Sequence, residues 1–290
     1  GISNRLRGKK PLQICETKFA EELCERFWDR LNGNISPGSG NYRVGVDLGT
    51  ANVVVAVVDH DDNPVAGKIE RAEVVRDGIV VDFVRARNIV ENMLQELRDE
   101  LGSDLIYGAC AVPPGTGAGD FRAVKHVVEA AGLEVLDVFE EPVAAAKVLG
   151  MEDQAIVDIG GGTTGISIIK SGKVLYTADE PTGGVHFTLV IAGNYGLDFD
   201  MAEELKLNEA NHRQLFPVVK PVMEKVATII HRHIKGHDVE KICLVGGTSS
   251  LMGLKDVVEQ ITGIPVYVPK HCILVTPLGI ALSCRKGGYR

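Results

Sequence analysis

Apolar positions along the chain fall into two patterns. In some segments they recur every three or four residues, the period of a helix; in others they form short unbroken runs rich in Val and Ile, as a buried strand does. Residues 17–31 show the first pattern: Phe19, Ala20, Leu23, Cys24, Phe27, Trp28 and Leu31 make a stripe, with charged residues on the opposite face. The Gly/Ser/Pro-rich stretch 32–40 then predicts a linker.

From Tyr42 onward strands and helices alternate. Residues 44–48 form a buried strand running into Gly49-Thr50, 53–58 a β-branched strand, and 59–64 a turn. A hairpin is predicted over 71–83, because Asp77-Gly78 suits the two positive-φ positions of a tight turn. Next come an amphipathic helix over 86–101, a strand over 105–112 stopped by Pro113-Pro114, a helix over 120–131, a strand over 135–139 and a helix over 142–149. After Gly150 the opening pattern returns. Residues 155–159 enter a glycine turn, and 166–169 with 174–177 predict a hairpin across Ser171-Gly172-Lys173. Helices follow over 187–194, 201–209, 218–234, 254–261 and 277–284, with strands over 241–245 and 266–268.

The chain therefore holds an internal repeat. Asp47 and Asp158 each close an apolar strand, and each precedes a Gly/Thr turn and a second strand, 111 residues apart (158 − 47). That spacing is about one domain length. The predicted division is an extension over 1–40, one lobe over 41–150 and a second over 151–290, with the last helix packing back toward the first lobe. Two such lobes suggest a ligand in the cleft between them.

Composition narrows the function. Hydrophobic residues make up 45% of the 290, enough for a substantial core. The formal charge is −8 with no Lys/Arg tract, which argues against a nucleic-acid surface. No apolar run has the roughly 18–20 residues of a membrane helix, and no signal-peptide pattern is present. The six cysteines are scattered without a CxxC pair, so we expect reduced thiols, no structural zinc and a cytoplasmic protein.

The glycine turns carry the chemistry. A turn of Gly and small hydroxyl residues between two strands presents several backbone N–H groups together, and these can wrap a phosphate. An Asp at the strand end points into the same space and can hold Mg²⁺ through its waters. No GxxxxGK[ST] occurs, so a P-loop is excluded. Gly160 to Gly165 matches GxGxxG by letter, but that fingerprint needs a helix after the turn, and 166–169 reads as a strand.

At this point a resemblance is plain. Asp47-Leu-Gly-Thr50 resembles the first phosphate loop of the actin/Hsp70/sugar-kinase superfamily, and Asp158 to Thr164 resembles the second. The segment from Val245 through Gly246-Gly247 to Leu251 resembles the adenosine loop. Val112-Pro-Pro-Gly, the helix ending near Ala131, and Glu141-Pro-Val-Ala-Ala-Ala146 follow the Hsp70 pattern; Gly183 to Phe187 is similar to a turn of Hsp70 and of the cell-division actin homologues. The match covers residues 42–284. It implies a two-lobed, internally duplicated α/β fold, ribonuclease H-like in each lobe, holding ATP or ADP with Mg²⁺. The short length most resembles the small Hsp70-like chaperone candidates of bacterial ethanolamine utilisation. These are encoded with a cobalamin-dependent ammonia-lyase and a microcompartment.

Carried over residue by residue, the resemblance implies that Gly49, Thr50, Ala51 and Asn52, with Gly161, Gly162, Thr163 and Thr164, contact the phosphates. Asp47 and Asp158 would hold hydrated Mg²⁺, and Glu141 would position the attacking water. Gly246, Gly247, Thr248 and Ser249 would back the adenosine, with Glu224 and Lys225 near ribose and adenine. Lys68 is the nearest counterpart of the Hsp70 catalytic lysine. The peptide-binding domain and lid of Hsp70 are not matched. The expectation is therefore a weak ATPase acting on a dedicated client, an ethanolamine ammonia-lyase or a microcompartment component.

Other readings stay open. The protein could bind nucleotide without turnover, as a reactivase-like partner of a cobalamin enzyme, or form filaments; a small-molecule kinase would need a second carboxylate at an acceptor pocket. Glu141 could be a helix N-terminal acid favoured by the dipole. His231, His233 and His237 look like a metal cluster, but positions two apart on a helix face nearly opposite ways. His186 reads as structural. The helix over 17–31 either packs on the body or docks a partner from its linker.

Overall fold

The computed structural model describes residues 14–285. After helix α1 (Ile14–Leu31), three strands run antiparallel in sequence: β1 (Arg43–Leu48), β2 (Asn52–Val58) and β3 (Pro64–Arg71). A small hairpin, β4 (Val75–Arg76) and β5 (Ile79–Val80), leads into α2 (Phe83–Leu101). Its turn is Asp77-Gly78, both at positive φ, 51° and 78°, as its sequence predicts. Then β6 (Tyr107–Val112), α3 (Ala118–Ala130), β7 (Glu134–Glu140) and α4 (Glu141–Leu149) complete a first sheet of order β3-β2-β1-β6-β7, its last two strands parallel to β1.

The second half repeats this plan. Strands β8 (Gln154–Ile159), β9 (Thr164–Lys170) and β10 (Lys173–Glu180) are antiparallel. They are followed by α5 (Gly184–Tyr195), α6 (Phe199–Leu207) and α7 (His212–Ile234). Then come β11 (Ile242–Val245), α8 (Leu254–Thr262), β12 (Val266–Tyr267) and α9 (Val275–Ser283). The sheet order is β10-β9-β8-β11-β12, strand for strand the order of the first. β1 and β8 are the central strands, buried through most of their length, as parallel neighbours covered on both faces must be.

The two halves meet through equivalent helices. Each is the helix after its sheet's last strand, α4 in one and α9 in the other, and they cross so closely that only glycine fits at the contact. A Cβ on Gly279 would stand 2.0 Å from the Ala144 carbonyl oxygen. This crossing lies in a core of its own, distinct from the core of either sheet's outer face. Val54 and Ala56 come to it from β2, Ile156 and Cys243 from the second sheet, and Leu278 and Ala281 from α9.

Helix α1 closes that middle core. Ala20, Leu23, Cys24 and Phe27 are buried in it, and Phe27 with Leu31 lies against Gly67 of β3, where a Cβ would come within 2.5 Å of the ring. Its apolar stripe thus packs on the body, while Phe19 and Trp28 stay largely exposed. On its polar side Glu21 accepts bonds from the Tyr267 hydroxyl and the Lys270 amide, and Glu25 pairs with His271. We expect Phe27→Ala to destabilise the protein by about 3 kcal/mol, the cost of emptying a buried aromatic site. Thermal denaturation would show it; an unchanged melting temperature would mean that α1 is not part of the core.

Helix α7 begins at His212, six residues before the predicted start at 218, and runs through Pro217 and Pro221. Both prolines lie on the solvent face, where water can satisfy the carbonyls they leave unpaired. The buried face of Leu215, Val219, Val222, Met223 and Val226 is uninterrupted, and its packing holds the helix together.

Candidate functional site

The cleft follows from the repeat. Asp47 and Asp158 are each the next-to-last residue of their strand, β1 and β8, so both carboxylates emerge at the same end of their sheets, facing one another across the crossing helices. Both following loops close with the same bond. The Gly49 amide donates to the Asn52 carbonyl at 2.9 Å, and the Gly160 amide to the Thr163 carbonyl at 3.1 Å. The residues between, Thr50 and Ala51 in one loop, Gly161 and Gly162 in the other, line a shared cavity of about 360 Å³. The loops nearly touch. A Cβ on Gly161 would lie 3.0 Å from that of Thr50, and one on Gly162 would lie 2.8 Å from the Thr50 hydroxyl and 3.0 Å from Asp77 Oδ1.

Asp47, Asp158 and Glu141 converge on the cavity from β1, β8 and the first residue of α4. Burial, then the charge of Asp158, pushes Asp47 up to about 7. Burial raises Asp158 as well, against the Thr276 hydroxyl, which donates to its Oδ2 at 2.7 Å. Burial also raises Glu141 well above the usual carboxylate range, reinforced by Asp158, Asp47 and Asp179. Three acids, one buried and two half-buried, that destabilise one another's charge suit a divalent cation, whose charge would offset that repulsion. Among the described residues no group of three acids, histidines or cysteines is set to ligate a metal directly. The fit is therefore to a hydrated ion.

The third loop forms the floor. Gly246, at φ 86°, passes under Asp158, where a Cβ would be 2.6 Å from Oδ1. Gly247 starts a 3-10 turn over Gly247–Ser250, and the Thr248 hydroxyl donates to the Gly160 carbonyl at 2.9 Å, tying this loop to the second glycine loop.

Most of the site residues expected from sequence therefore face one cavity, but four do not. Thr164 is buried within β9 and donates to the Thr182 carbonyl; Ser249 is buried and donates to the Val245 carbonyl. Glu224 and Lys225 lie on the solvent face of α7, opposite Val222, Met223 and Val226. The cavity wall there comes instead from α6. Glu203 and Lys206 are both buried, 2.9 Å apart, with Glu203 accepting from the Thr188 hydroxyl at 2.5 Å and Lys206 donating to the Gly184 carbonyl. Their Glu–Lys spacing of three on a short helix was the one available signal. Lys68 is also displaced from the cleft: it pairs with Glu100 at 2.5 Å and Glu96 at 3.4 Å on α2. The cation that reaches the cavity from β3 is Arg71. Burial lowers the Lys206 pKa; Glu203 opposes this, and the positive charge of Arg71 adds to it.

His233, His237 and His186 have structural contacts, while His231 Nδ1 is buried without a hydrogen-bond partner. His233 bonds the Tyr176 hydroxyl at 2.7 Å and Glu180 at 2.8 Å, tying α7 to β10, and His237 packs its ring on Tyr176. His186 Nδ1 accepts from the Gly183 amide at the start of α5.

Two duplicated sheets of order 3-2-1-4-5, joined by crossing helices under a cleft with paired glycine loops, define the actin-like ATPase fold. The chain superposes on MreB 5 of Spiroplasma citri bound to AMPPNP with a TM-score of 0.69 at 18% identity, covering 85% of this chain and 96% of that one. It is 45% identical over 244 residues to the ethanolamine utilization protein EutJ of Escherichia coli strain K12, covering 84% of this chain and 86% of that protein. The crystal structure of EutJ from Carboxydothermus hydrogenoformans matches with a TM-score of 0.87 at 44% identity, covering 92% of this chain and 99% of that one. The chain belongs to the EutJ family, and its residues 121–273 also match the family described as type IV pilus assembly protein PilM. Among the described residues no helix is long and apolar enough to cross a membrane.

Proposed function

We propose that the cleft binds ATP and ADP with Mg²⁺, hydrolyses ATP slowly, and uses the resulting lobe movement to switch affinity for a protein of the ethanolamine pathway. The observation that carries this reading is the meeting of two equivalent glycine loops over a shared carboxylate cluster. Thr50, Ala51, Gly161 and Gly162 grip the phosphates from both sides. Asp47 and Asp158 hold the hydrated ion, which supplies charge neutralisation on the transferring phosphoryl group. Arg71 and Lys206, cations from opposite lobes, flank the anion. Gly246 and Gly247, which line the cavity, would back the adenosine. Glu141, at a helix start, accepts a hydrogen bond from the attacking water and so aligns it. The nucleotide analogue and ADP named with the two Spiroplasma citri MreB5 structures support this reading by analogy of fold.

The family's place in ethanolamine utilisation points to a client there, an ammonia-lyase or a microcompartment component, and to a chaperone or assembly role. A pull-down with and without ATP from cells using ethanolamine would identify it. Glu141→Ala should lower steady-state ATP turnover by about 100-fold, within the usual range for losing a group that positions or deprotonates a nucleophile, while leaving ATP affinity little changed. Phosphate release would be measured for both proteins. Equal and negligible rates would reduce the protein to a nucleotide-gated binder.

A further inference from the structure

Asp179 is a further acid beside the cleft wall, placed there by strand register. Asp158 of β8 pairs with Gly165 of β9, and Gly165 pairs with Asp179 of β10, so the three stand in one row across the sheet. Directly opposed residues of antiparallel strands project from the same face. Gly165 has no side chain, so the two carboxylates flank an open gap. A Cβ on Gly165 would lie 3.7 Å from Asp179 Oδ1, with Pro114 at 3.3 Å and Pro142 at 3.5 Å closing the gap from the other lobe. Asp179 Oδ1 is buried and has no hydrogen-bond donor. An acceptor left in that state costs about 1–3 kcal/mol, so the position is not chosen for stability. Thr163, on the wall of the cavity, stands two residues before Gly165 and so diagonally across from Asp179, close enough for its side chain to act on that carboxylate.

We propose that Asp179 is a positioning residue for the hydrolytic step, accepting the Thr163 hydroxyl proton so that Thr163 turns a lone pair toward the attacking water. This rests on the nucleotide reading above. The water oxygen bonds the terminal phosphorus as the bond from that phosphorus to the bridging oxygen breaks, and the electron pair leaves with ADP. The water's proton passes to the Thr163 oxygen while Thr163's own proton passes to Asp179, and from there to solvent. Burial holds Asp179 near 7, opposed by the Thr163 bond and reinforced by Asp158, Glu180 and Asp77. Such a group can take up and return a proton at neutral pH. Glu141 faces the same space from α4; Glu180, next along β10, is itself engaged by Arg232 and His233 of α7.

The test is a double-mutant cycle on ATP turnover with Asp179→Asn and Thr163→Val, alongside calorimetric Mg-ATP affinity and melting temperature. Asp179→Asn should bind Mg-ATP within about twofold of wild type yet turn it over about 100-fold more slowly, the lower end of a proton-transfer contribution. The double variant should be no slower than Thr163→Val alone, because the two act as one unit. Asp179→Ser is the second variant should the asparagine lower the melting temperature below that of the assay. Additive losses, a parallel loss of affinity, or turnover within about twofold of wild type would overturn the proposal while leaving nucleotide binding intact. Wild-type turnover no greater than that of Asp47→Asn would instead remove the hydrolytic reading and this inference with it.

Discussion

Gly279→Ala should lower the melting temperature by roughly 5–10 °C, corresponding to about 2–3 kcal/mol for a chain of this size. The added methyl carbon would sit 2.0 Å from the Ala144 oxygen and 2.7 Å from its carbonyl carbon. Both atoms are backbone of α4, so no rotamer change can relieve the contact. The crossing helices must separate, and with them the two sheets whose alignment shapes the cleft. The neighbouring strand leaves no slack: Gly45 of β1 already lies so close to α9 that a Cβ there would be 2.5 Å from the Ala281 nitrogen. Gly193 supplies the contrast. It is also helical, in α5, but exposed and with nothing within 4 Å of a Cβ. Gly193→Ala should therefore stabilise by about 0.5–1 kcal/mol through helix propensity and a less flexible unfolded chain. Denaturant titration of the two variants would show opposite signs. Equal effects would mean that the crossing is looser than its geometry indicates.

Gly162→Val should weaken Mg-ATP binding by about 100-fold or more, since forcing a side chain between packed loops costs some 2–3 kcal/mol. The new atoms would meet the Thr50 hydroxyl and the Asp77 carboxylate, pushing apart the two loops that would hold the phosphates. The loops rim the cavity rather than fill a core, so the melting temperature should move by no more than a few degrees. Isothermal titration calorimetry with Mg-ATP, beside thermal denaturation, separates the two effects. Binding within a few-fold of wild type would show that phosphates do not pass between Thr50 and Gly162.

Much of this site is legible in the residues, because loops of this kind depend on residue type. Gly49, Gly161, Gly162 and Gly246 approach other atoms too closely for a side chain, and that constraint is written as glycine. Asp47 and Asp158 stand out because the repeat places each after the same apolar strand. The turns Asp77-Gly78 and Ser171-Gly172 are equally readable, each with two positive-φ positions. What the sequence hides depends on orientation and register. Glu203 and Lys206 look like ordinary surface residues of a short helix until α6 turns them inward. Glu224 and Lys225, equally polar, face solvent. Lys68 and Arg71 are three residues apart on one strand, so only the pleat and the position of α2 decide which reaches the cavity. Asp179 is hidden most deeply, because its nearness to Asp158 exists only through pairing across β9. The first turn and a half of α7 escapes the reading for a related reason: Pro217 and Pro221 are unfavourable to a helix, and only the packing of the buried face of α7 offsets their cost.

The central claim is that one cavity, built from both halves of the repeat, holds a magnesium nucleotide. Titration of the intact protein with Mg-ATP in a calorimeter, set against the double variant Asp47→Asn, Asp158→Asn, tests it most directly. Saturable binding of one nucleotide per chain, dependent on Mg²⁺ and abolished in the double variant, is the predicted result. No binding by the intact protein, or equal binding by the variant that lacks both acids, would contradict it.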